Sequence, residues 1–265
     1  MNIVVPVRFV PDLVEELTID GSGTALDMAW MRMILNEFDG HAIEQAILLK
    51  EAGAPGGSVT VVAPDMEGVD DALYAAAAKG ADRLIKLTGN FEHGAFGSHA
   101  LARVFANAVK TLRPELILTG VQAHNDLDGA LGPRLAENLG MPFVGYVSGV
   151  TLVEDPLQRA GNVAKVRKEY PGGLIAEMEV ILPGVLGIQA ASQPPRYVPI
   201  SRIRQAMKTT TIEKVPAAEL EFAGGLPVSR MFQRETGARA EMIEGDAEEV
   251  AERLVGLLRE RGILS

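Results

Sequence analysis

The sequence of 265 residues contains no cysteine, and this absence excludes several kinds of site at once. Without thiols the chain cannot form disulfide bonds, thiolate metal centres or a cysteine nucleophile. Histidine is also scarce, and no two of the four copies have the i, i+4 or H-x-H spacing of metal ligands: His41, His93, His99 and His124. The usual zinc and iron sites are therefore not predicted.

The common catalytic and phosphate-binding motifs are missing as well. There is no G-x-S-x-G nucleophile elbow, no Walker A sequence, and no G-x-G-x-x-G after the first apolar run. Asp126 and Asp128 fit either a carboxylate pair or ordinary solvated turn residues. His124 fits either a plain loop residue or one that stacks on a base. The sequence thus predicts no bond-making apparatus of its own.

Composition limits the fold and the partners. Hydrophobic residues make up 47% of the chain and aromatic residues only 5%, which is typical of an aliphatic core between a parallel sheet and helices. A formal net charge of -10 argues against nucleic acid as the main partner. No secretory segment follows Met1, and no apolar run approaches the roughly 18 residues that cross a bilayer. We therefore expect a soluble, cytoplasmic protein that does not span a membrane.

A repeated strand and helix pattern organises the first part of the chain. Short apolar runs predict strands at 3–10, 59–63, 84–87 and 116–119, and helical periodicity follows at 40–52, 69–79, 98–112 and 130–139. Pro6 suggests an edge, a bulge or an end in the first strand. Asn36 or Asp39 can cap the helix at 40–52, and Ser98 the helix at 98–112. The pattern predicts a doubly wound, mostly parallel α/β sheet with right-handed crossovers.

The stretch 116–141 carries the strongest indication of a binding site. A buried strand is followed by a polar, glycine-bearing loop at 122–129 and then by a helix that stops at Gly140. The free N–H groups and the positive dipole end of such a helix can hold a phosphate without a charged side chain. The same spacing also fits an ordinary connection between a strand and a helix.

The pattern changes after Phe143. Strand-like runs at 147–153, 162–169, 175–182 and 185–189 predict antiparallel hairpins, with turns at Asp155-Pro156 and at 171–173. A proline-rich loop at 194–199, a short basic helix at 200–207 and a weakly patterned arm follow. Asp246 and Glu249 have capping-box spacing before a terminal helix. That helix fits a tether to a partner subunit and equally a helix docked on its own domain.

Five motifs in order over much of the chain resemble the β subunit of electron transfer flavoproteins. They are V-P-V-R-F-V-P-D at 5–12, N-E-F-D with the helix A-I-E-Q-A-I-L-L-K-E at 36–51, A-K-G-A-D-R at 78–83, V-R-K-E-Y-P-G-G at 166–173 with Leu182 and Pro183 after it, and P-R-Y through Lys208 from Pro195. Within the family the fourth motif reads V-x-R-E-x-D-G-G, so Pro171 departs from it, and Ser201 replaces a proline.

The resemblance implies a Rossmann-like fold of the adenine-nucleotide α-hydrolase type and a role in electron transfer. It implies a heterodimer with an α subunit that carries the redox FAD, and an adenine nucleotide in this chain, either AMP or a second FAD. Electrons would pass from flavin dehydrogenases of fatty acid oxidation, such as acyl-CoA dehydrogenases, to a quinone oxidoreductase or another acceptor. Residues 1–193 would form the nucleotide-binding domain, and 194–265 the recognition loop, arm and terminal helix that contacts the α subunit.

The resemblance also implies particular residues. The nucleotide site would comprise Pro6, Asn36, Glu37, Phe38, Asp39, Pro64, Gln122, Ala123, His124, Asn125, Asp126, Leu127, Asp128, Gly129, Ala130, Leu131 and Gly132. The dehydrogenase would contact Pro195, Arg196, Tyr197, Ile200, Ile203, Met207 and Lys208, with Ile200 as the anchor. The loop lacks the Gln and Thr of ordinary members, and Gly132-Pro133 resembles the ending in members that hold a second FAD. The choice between AMP and FAD stays open.

Two rival interpretations remain at this level. The chain could be a stand-alone ATP- or AMP-binding protein of the universal-stress type, or an interaction scaffold whose nucleotide site has decayed. The first predicts a colourless monomer that binds ATP, whereas the electron transfer flavoprotein interpretation predicts a coloured complex. Arg8, close to the start of the chain, could approach the flavin or the subunit interface.

Overall fold

The computed structural model describes residues 1–29, 31–53, 56–91, 97–153, 162–218, 226–233, 240 and 242–264. By its internal contacts the chain forms two units, Met1–Met231 and Phe232–Ser265. The larger unit alternates strands and helices, and the smaller contains the terminal helix. The predicted turn at Asp155-Pro156 and the residue His93 lie outside the described residues.

The strands of the larger unit are β1 (Asn2–Pro6), β2 (Phe9–Pro11), β3 (Met33–Leu35), β4 (Ser58–Pro64), β5 (Arg83–Thr88), β6 (Leu116–Gly120), β7 (Phe143–Val153), β8 (Val163–Tyr170), β9 (Leu174–Ile181), β10 (Gly184–Ile188) and β11 (Ile212–Pro216). Its helices are α1 (Glu37–Glu51), α2 (Val69–Lys79), α3 (Ser98–Lys110), α4 (Leu131–Leu139) and α5 (Ile200–Thr209). Helix α6 (Ala247–Glu260) belongs to the smaller unit.

A nine-stranded sheet in the order β11-β5-β4-β1-β6-β10-β7-β8-β9 runs through the larger unit. The strands from β11 to β7 pair in parallel, and β8 and β9 are added antiparallel. From β1 the chain moves to β4 and β5 on one side, and then returns to β6 on the other. The order therefore reverses between β1 and β6. The predicted doubly wound, mostly parallel α/β fold is confirmed.

The residues of β1 show how both faces of the sheet are covered. Because side chains alternate along a strand, Ile3 and Val5 enter one core with Ile43 of α1, while Val4 enters a second core with Phe105 of α3. Burying such a side chain contributes roughly 1.5–3 kcal/mol. The first core also contains residues of α2, and the second contains residues of α4. Helices thus cover both faces of the parallel strands.

Two predicted strands need correction, and one strand was not predicted. The run 3–10 is two strands: β1 ends at Pro6, as that residue suggested, and β2 pairs with β3 in a separate two-stranded sheet. The run 185–189 is not an antiparallel hairpin strand, because β10 pairs in parallel with both β6 and β7. Strand β11, in the arm that showed weak periodicity, pairs in parallel with β5 at the sheet edge. Between its two apolar residues, Ile212 and Val215, the strand carries Glu213 and Lys214. Charged side chains of this kind are tolerated in an edge strand.

The helix ends also differ in detail from the predictions. Asn36 occupies the N-cap of α1, but its side chain makes no capping bond, and Asp39 lies inside the helix. Gly97, not Ser98, is the N-cap of α3. These polar side chains were read as caps, whereas the folded chain uses them in long-range contacts. The capping box of α6 is confirmed: Asp246 accepts hydrogen bonds from the N–H groups of Glu248 and Glu249.

Candidate functional site

The carboxyl ends of β1 and β6 frame a gap, which we call the switch-point crevice. β1 ends at Pro6 and β6 at Gly120, and the neighbouring β4 ends at Pro64 on the same edge of the sheet. The loops that leave β1 and β6 run to opposite sides because the strand order reverses between them. In doubly wound folds ligands bind at this position.

Arg8 fastens together the segments that line the crevice. Its Nε and Nη2 donate to the two carboxylate oxygens of Asp39 at 3.1 and 3.2 Å. Nη2 also donates to the carbonyls of Gly120 and Gln122 at 2.9 and 3.0 Å, and Nη1 lies 3.4 Å from Asp126. The side chains of Arg8 and Asp39 are only 7% and 0% exposed. All three guanidinium nitrogens therefore contact this chain itself.

A glycine allows α1 and β6 to meet below the crevice. A Cβ at Gly120 would stand 2.6 Å from the backbone nitrogen of Asp39, a distance that real Cβ atoms do not show. The Gly120 N–H donates to Asp39 Oδ1 at 2.7 Å, so the carboxylate is held from two sides. Asn36 Nδ2 donates to the Gln122 carbonyl at 3.0 Å. The first turn of α1 and the loop after β6 thus form one rigid wall.

The two loop acids hold the start of α3. Asp126 accepts a hydrogen bond from the Ser98 hydroxyl, and Asp128 accepts one from His99 Nε2 at 2.9 Å. The Asp126 side chain is 7% exposed, so its interpretation as a solvated turn residue is wrong. Burial raises the pKa of Asp128, but hydrogen bonds from Ala130 N–H, His99 and Ser98 outweigh it and hold the pKa below its usual value. Asp128 is therefore ionised at neutral pH.

The N-terminus of α4 faces this loop and has the donors that an anion needs. Ala130 is the N-cap, and its N–H donates to Asp128 Oδ1 at 3.1 Å. Among the described residues, no acceptor is paired with the N–H groups of Leu131 and Gly132. The next residue, Pro133, carries no backbone N–H and so leaves no unpaired donor there. These two amides are therefore available to donate to an acceptor, close to the carboxylate of Asp128.

A cavity of about 640 Å³ adjoins the loop on the side of β7, β8 and β9. Gln122, Asp126, Leu127, Asp128 and Gly129 line one wall, and Phe143, Tyr146, Lys168, Tyr170 and Met178 line the other. The ammonium of Lys168 donates to the Gly145 carbonyl at 2.8 Å and lies 5.5 and 5.3 Å from the ring centres of Tyr146 and Tyr170. The cavity therefore combines aromatic walls with one cation.

The structure brings most of the predicted nucleotide-site residues to one edge of the sheet, though not all into contact. Asn36, Asp39, Gln122 and Asp126 are joined through hydrogen bonds or through Arg8. Several of the remaining residues are exposed, among them Glu37, His124, Asn125 and Leu127. Others are buried or half-buried: Pro6, Pro64, Ala123 and Leu131 are buried, and Phe38 and Ala130 are half-buried. Whether these residues bind a nucleotide stays a prediction.

Sequence reasoning missed Arg8, Ser98 and His99 as organisers of the site. Arg8 was considered only as a residue that approaches the flavin or the interface. The available signal was its position as the single charge within the apolar run 3–10, because a buried charge requires a partner. Nothing in the sequence pointed to Asp39 as that partner, 31 positions away.

The predicted dehydrogenase contact lies on α5 and the loop before it. Tyr197, Ile200 and Met207 are 85%, 65% and 48% exposed, and we call these three side chains the docking face. Ile203 is half-buried and Ala206 buried on the side that packs against α2. Pro195 and Lys208 are exposed. The docking face is therefore an exposed apolar surface, formed by a loop residue and by a helix that packs against α2.

Arg196 makes ion pairs within the chain. Its Nε donates to Glu44 at 2.7 Å, and its two Nη atoms donate to Glu51 at 2.6 and 2.8 Å. The hydrogen bonds to Glu51 and Glu44 raise the pKa of Arg196 above its usual value, and the same contact lowers the pKa of Glu51. Burial lowers the pKa of the nearby Lys79, while the charge of Glu44 opposes this shift. Sequence reasoning had assigned Arg196 to the partner and had given Glu44 no role.

The described part of the chain contains no cluster of three or more His, Cys, Asp or Glu side chains suited to a metal ion. Across the same residues, no helix has the length and apolar character needed to cross a membrane.

An open sheet with a switch-point crevice, a glycine-bearing loop and a free helix N-terminus defines the class of doubly wound α/β proteins. Comparison with known families identifies the family within this class: the family model "Electron transfer flavoprotein domain" matches residues 29–220. The chain belongs to the electron transfer flavoprotein family.

Three curated relatives illustrate the match. "Electron transfer flavoprotein subunit beta" of Methylophilus methylotrophus is 31% identical over 98% of both chains. The protein of the same name in Clostridium acetobutylicum is also 31% identical over 98% of both chains. That of Syntrophomonas wolfei is 34% identical over 72% of this chain and 71% of its own. The resemblance inferred from the sequence motifs is confirmed.

Proposed function

We propose that this chain is the β subunit of a heterodimer whose α subunit carries a redox FAD, and that it holds an adenine nucleotide at the switch-point crevice. When it is bound, the FAD carries the electrons. The residues of this chain bind the adenine nucleotide and the α subunit, and so position the flavin. Electrons pass from a flavin dehydrogenase, such as an acyl-CoA dehydrogenase, to a quinone oxidoreductase or another acceptor. Membership of the family supports the electron-transfer role.

The observation that carries the nucleotide proposal is the Arg8 network. It fixes the end of β1, the first turn of α1 and the loop after β6 around one crevice, at the position where doubly wound sheets bind ligands. The amides of Leu131 and Gly132 add the donors for a phosphate. AMP and a second FAD share the adenylate that this arrangement suits, and we propose one of the two.

The docking face supports the dehydrogenase part of the proposal. An exposed aliphatic anchor with a neighbouring aromatic and Met is suited to a small interface that releases quickly. We propose that Ile200 enters a pocket of the dehydrogenase, with Tyr197 and Met207 beside it.

Co-expression with the α subunit tests the proposal. The expected product is a yellow heterodimer whose flavin absorbance falls when a reduced acyl-CoA dehydrogenase is added. A colourless monomer that binds ATP would support the stand-alone nucleotide-binding alternative instead. We also propose that the complex works in the cytoplasm, which cell fractionation tests.

A further inference from the structure

The segment that leads into the docking face is fastened to α1 over three successive turns. The N–H of Ala191 donates to His41 Nδ1 at 3.2 Å, and the N–H and hydroxyl of Ser192 donate to Gln45 Oε1 at 2.8 and 2.9 Å. The third contact is the ion pair of Arg196 with Glu44 and Glu51, described above. We call Arg196, Glu44 and Glu51 the Arg196 clamp.

Within the part of the chain that the structure describes, the Glu44 carboxylate accepts hydrogen bonds from Arg196. The Glu44 side chain is 2% exposed, and both carboxylate oxygens accept from Arg196: Oε1 from Nε at 2.7 Å and Oε2 from the backbone N–H at 3.0 Å. A buried carboxylate is costly unless it is paired and hydrogen-bonded. Glu44 therefore fixes both the side chain and the backbone of Arg196 in one position.

The clamp lies immediately before residues whose side chains are exposed. Tyr197 follows Arg196 directly and is 85% exposed, and Ile200, the first residue of α5, is 65% exposed. The loop from Gln193 to Pro199 has no regular secondary structure. A loop of this kind would lose conformational entropy on binding a partner unless it is ordered beforehand. The clamp supplies this order.

We propose that Glu44 and Glu51 are positioning residues, which through Arg196 hold the docking face in the geometry that receives the dehydrogenase. The inference rests on the proposed function of the docking face. It assigns the affinity for the dehydrogenase partly to helix α1, which carries no docking residue. It also gives Arg196 a role within this chain, in place of direct contact with the partner.

The two roles of Arg196 predict opposite effects of Glu51→Gln. Glu51 is 52% exposed, so its replacement leaves the fold intact. If Arg196 contacted the dehydrogenase directly, Glu51→Gln would free a cation and leave the KM for the dehydrogenase unchanged or lower. If Glu51 instead positions the docking face, KM should rise. The apparent affinity for the dehydrogenase falls when the segment is ordered in a smaller fraction of the molecules.

The experiment uses the heterodimer and measures its reduction by an acyl-CoA dehydrogenase. We expect Glu51→Gln to raise the KM for the heterodimer about three-fold and Glu44→Gln about ten-fold, with kcat and the flavin spectrum unchanged. The matched control is Glu177→Gln, which removes the exposed ion pair between Glu177 on β9 and Lys165 on β8 and should leave KM unchanged. An unchanged or lower KM for Glu51→Gln would overturn the inference.

A double-mutant cycle separates positioning from general weakening. Once Ile200→Ala has removed the anchor, Glu44→Gln should raise KM by less than about two-fold. A full ten-fold effect in that background would contradict positioning.

If Ile200→Ala alone leaves KM unchanged, the docking proposal fails. If it raises KM while both Glu variants do not, only the positioning inference fails. Should Glu44→Gln reduce the yield, Glu51→Gln and faster hydrogen exchange of the amides 197–203 still decide the question.

Discussion

Arg8 and Asp39 form a buried ion pair with two parallel hydrogen bonds, although 31 positions separate them in the chain. The pair joins the end of the first strand to the first helix, and its further bonds reach Gly120, Gln122 and Asp126 on the loop after β6. The Arg8 side chain therefore links the three segments that line the switch-point crevice.

The first prediction concerns that side chain. Arg8→Met should lower the free energy of unfolding by about 3–5 kcal/mol, since it leaves the fully buried Asp39 carboxylate without its cation. Urea unfolding of the purified protein measures this loss. Arg83→Gln is the control, because it breaks an exposed pair with Glu213 and should cost no more than about 1 kcal/mol. Equal losses in the two variants would show that the network is not a structural clamp.

The second prediction concerns the close approach of α4 to β7. A Cβ at Gly132 would meet the ring of Phe143 at 2.6 Å, so Gly132→Ala should destabilise the protein by about 1–3 kcal/mol through overpacking. Gly40→Ala is the matched control within α1, where nothing lies within 4 Å, and it should stabilise by about 0.5–1 kcal/mol. Thermal unfolding of both variants measures the difference. A stable Gly132→Ala protein would refute the contact.

Much of the fold could be predicted from the sequence because the parallel strands are short, apolar and bounded by glycine or proline. β10 was misassigned since periodicity does not reveal which neighbour a strand pairs with. Strand β11 was missed because its two apolar residues, Ile212 and Val215, are separated by the adjacent Glu213 and Lys214, so the alternation that indicates a strand is absent.

The candidate site could be predicted only as a stretch of chain. The loop 122–132 was found through its strand, its glycines and the following helix. The Arg8 network and the Arg196 clamp were not, because each joins residues more than 30 positions apart, as Arg8 with Asp126 and Arg196 with Glu44. Single-sequence patterns carry no information on such pairings.

The third prediction concerns acid. Because the contact with Arg196 lowers the pKa of Glu51 below its usual value near 4.5, the pair contributes stability above that pH and loses it as the pH falls. The contribution is at most about 1 kcal/mol, since Glu51 is half exposed. Unfolding free energies measured from pH 6 to pH 3 should fall less steeply in Glu51→Gln than in the wild type. Identical slopes would exclude the pair as a source of acid sensitivity.

The fourth prediction concerns the smaller unit. Asp246→Ala removes the acceptor for the N–H groups of Glu248 and Glu249, and should weaken the start of α6 by about 1 kcal/mol. Hydrogen exchange at these amides should speed up by roughly five-fold, while exchange in β1 and β6 stays the same. The cap would be irrelevant to the helix if exchange at both amides did not change.

The most direct test of the account is the nucleotide content of the heterodimer. The purified complex is denatured, and the released small molecules are quantified by mass spectrometry against the protein concentration. The account predicts, beyond the FAD of the α subunit, one adenine nucleotide per copy of this chain, either AMP or a second FAD, and its loss from the Arg8→Met complex. A complex that contains the FAD of the α subunit and no second adenine nucleotide would contradict the account.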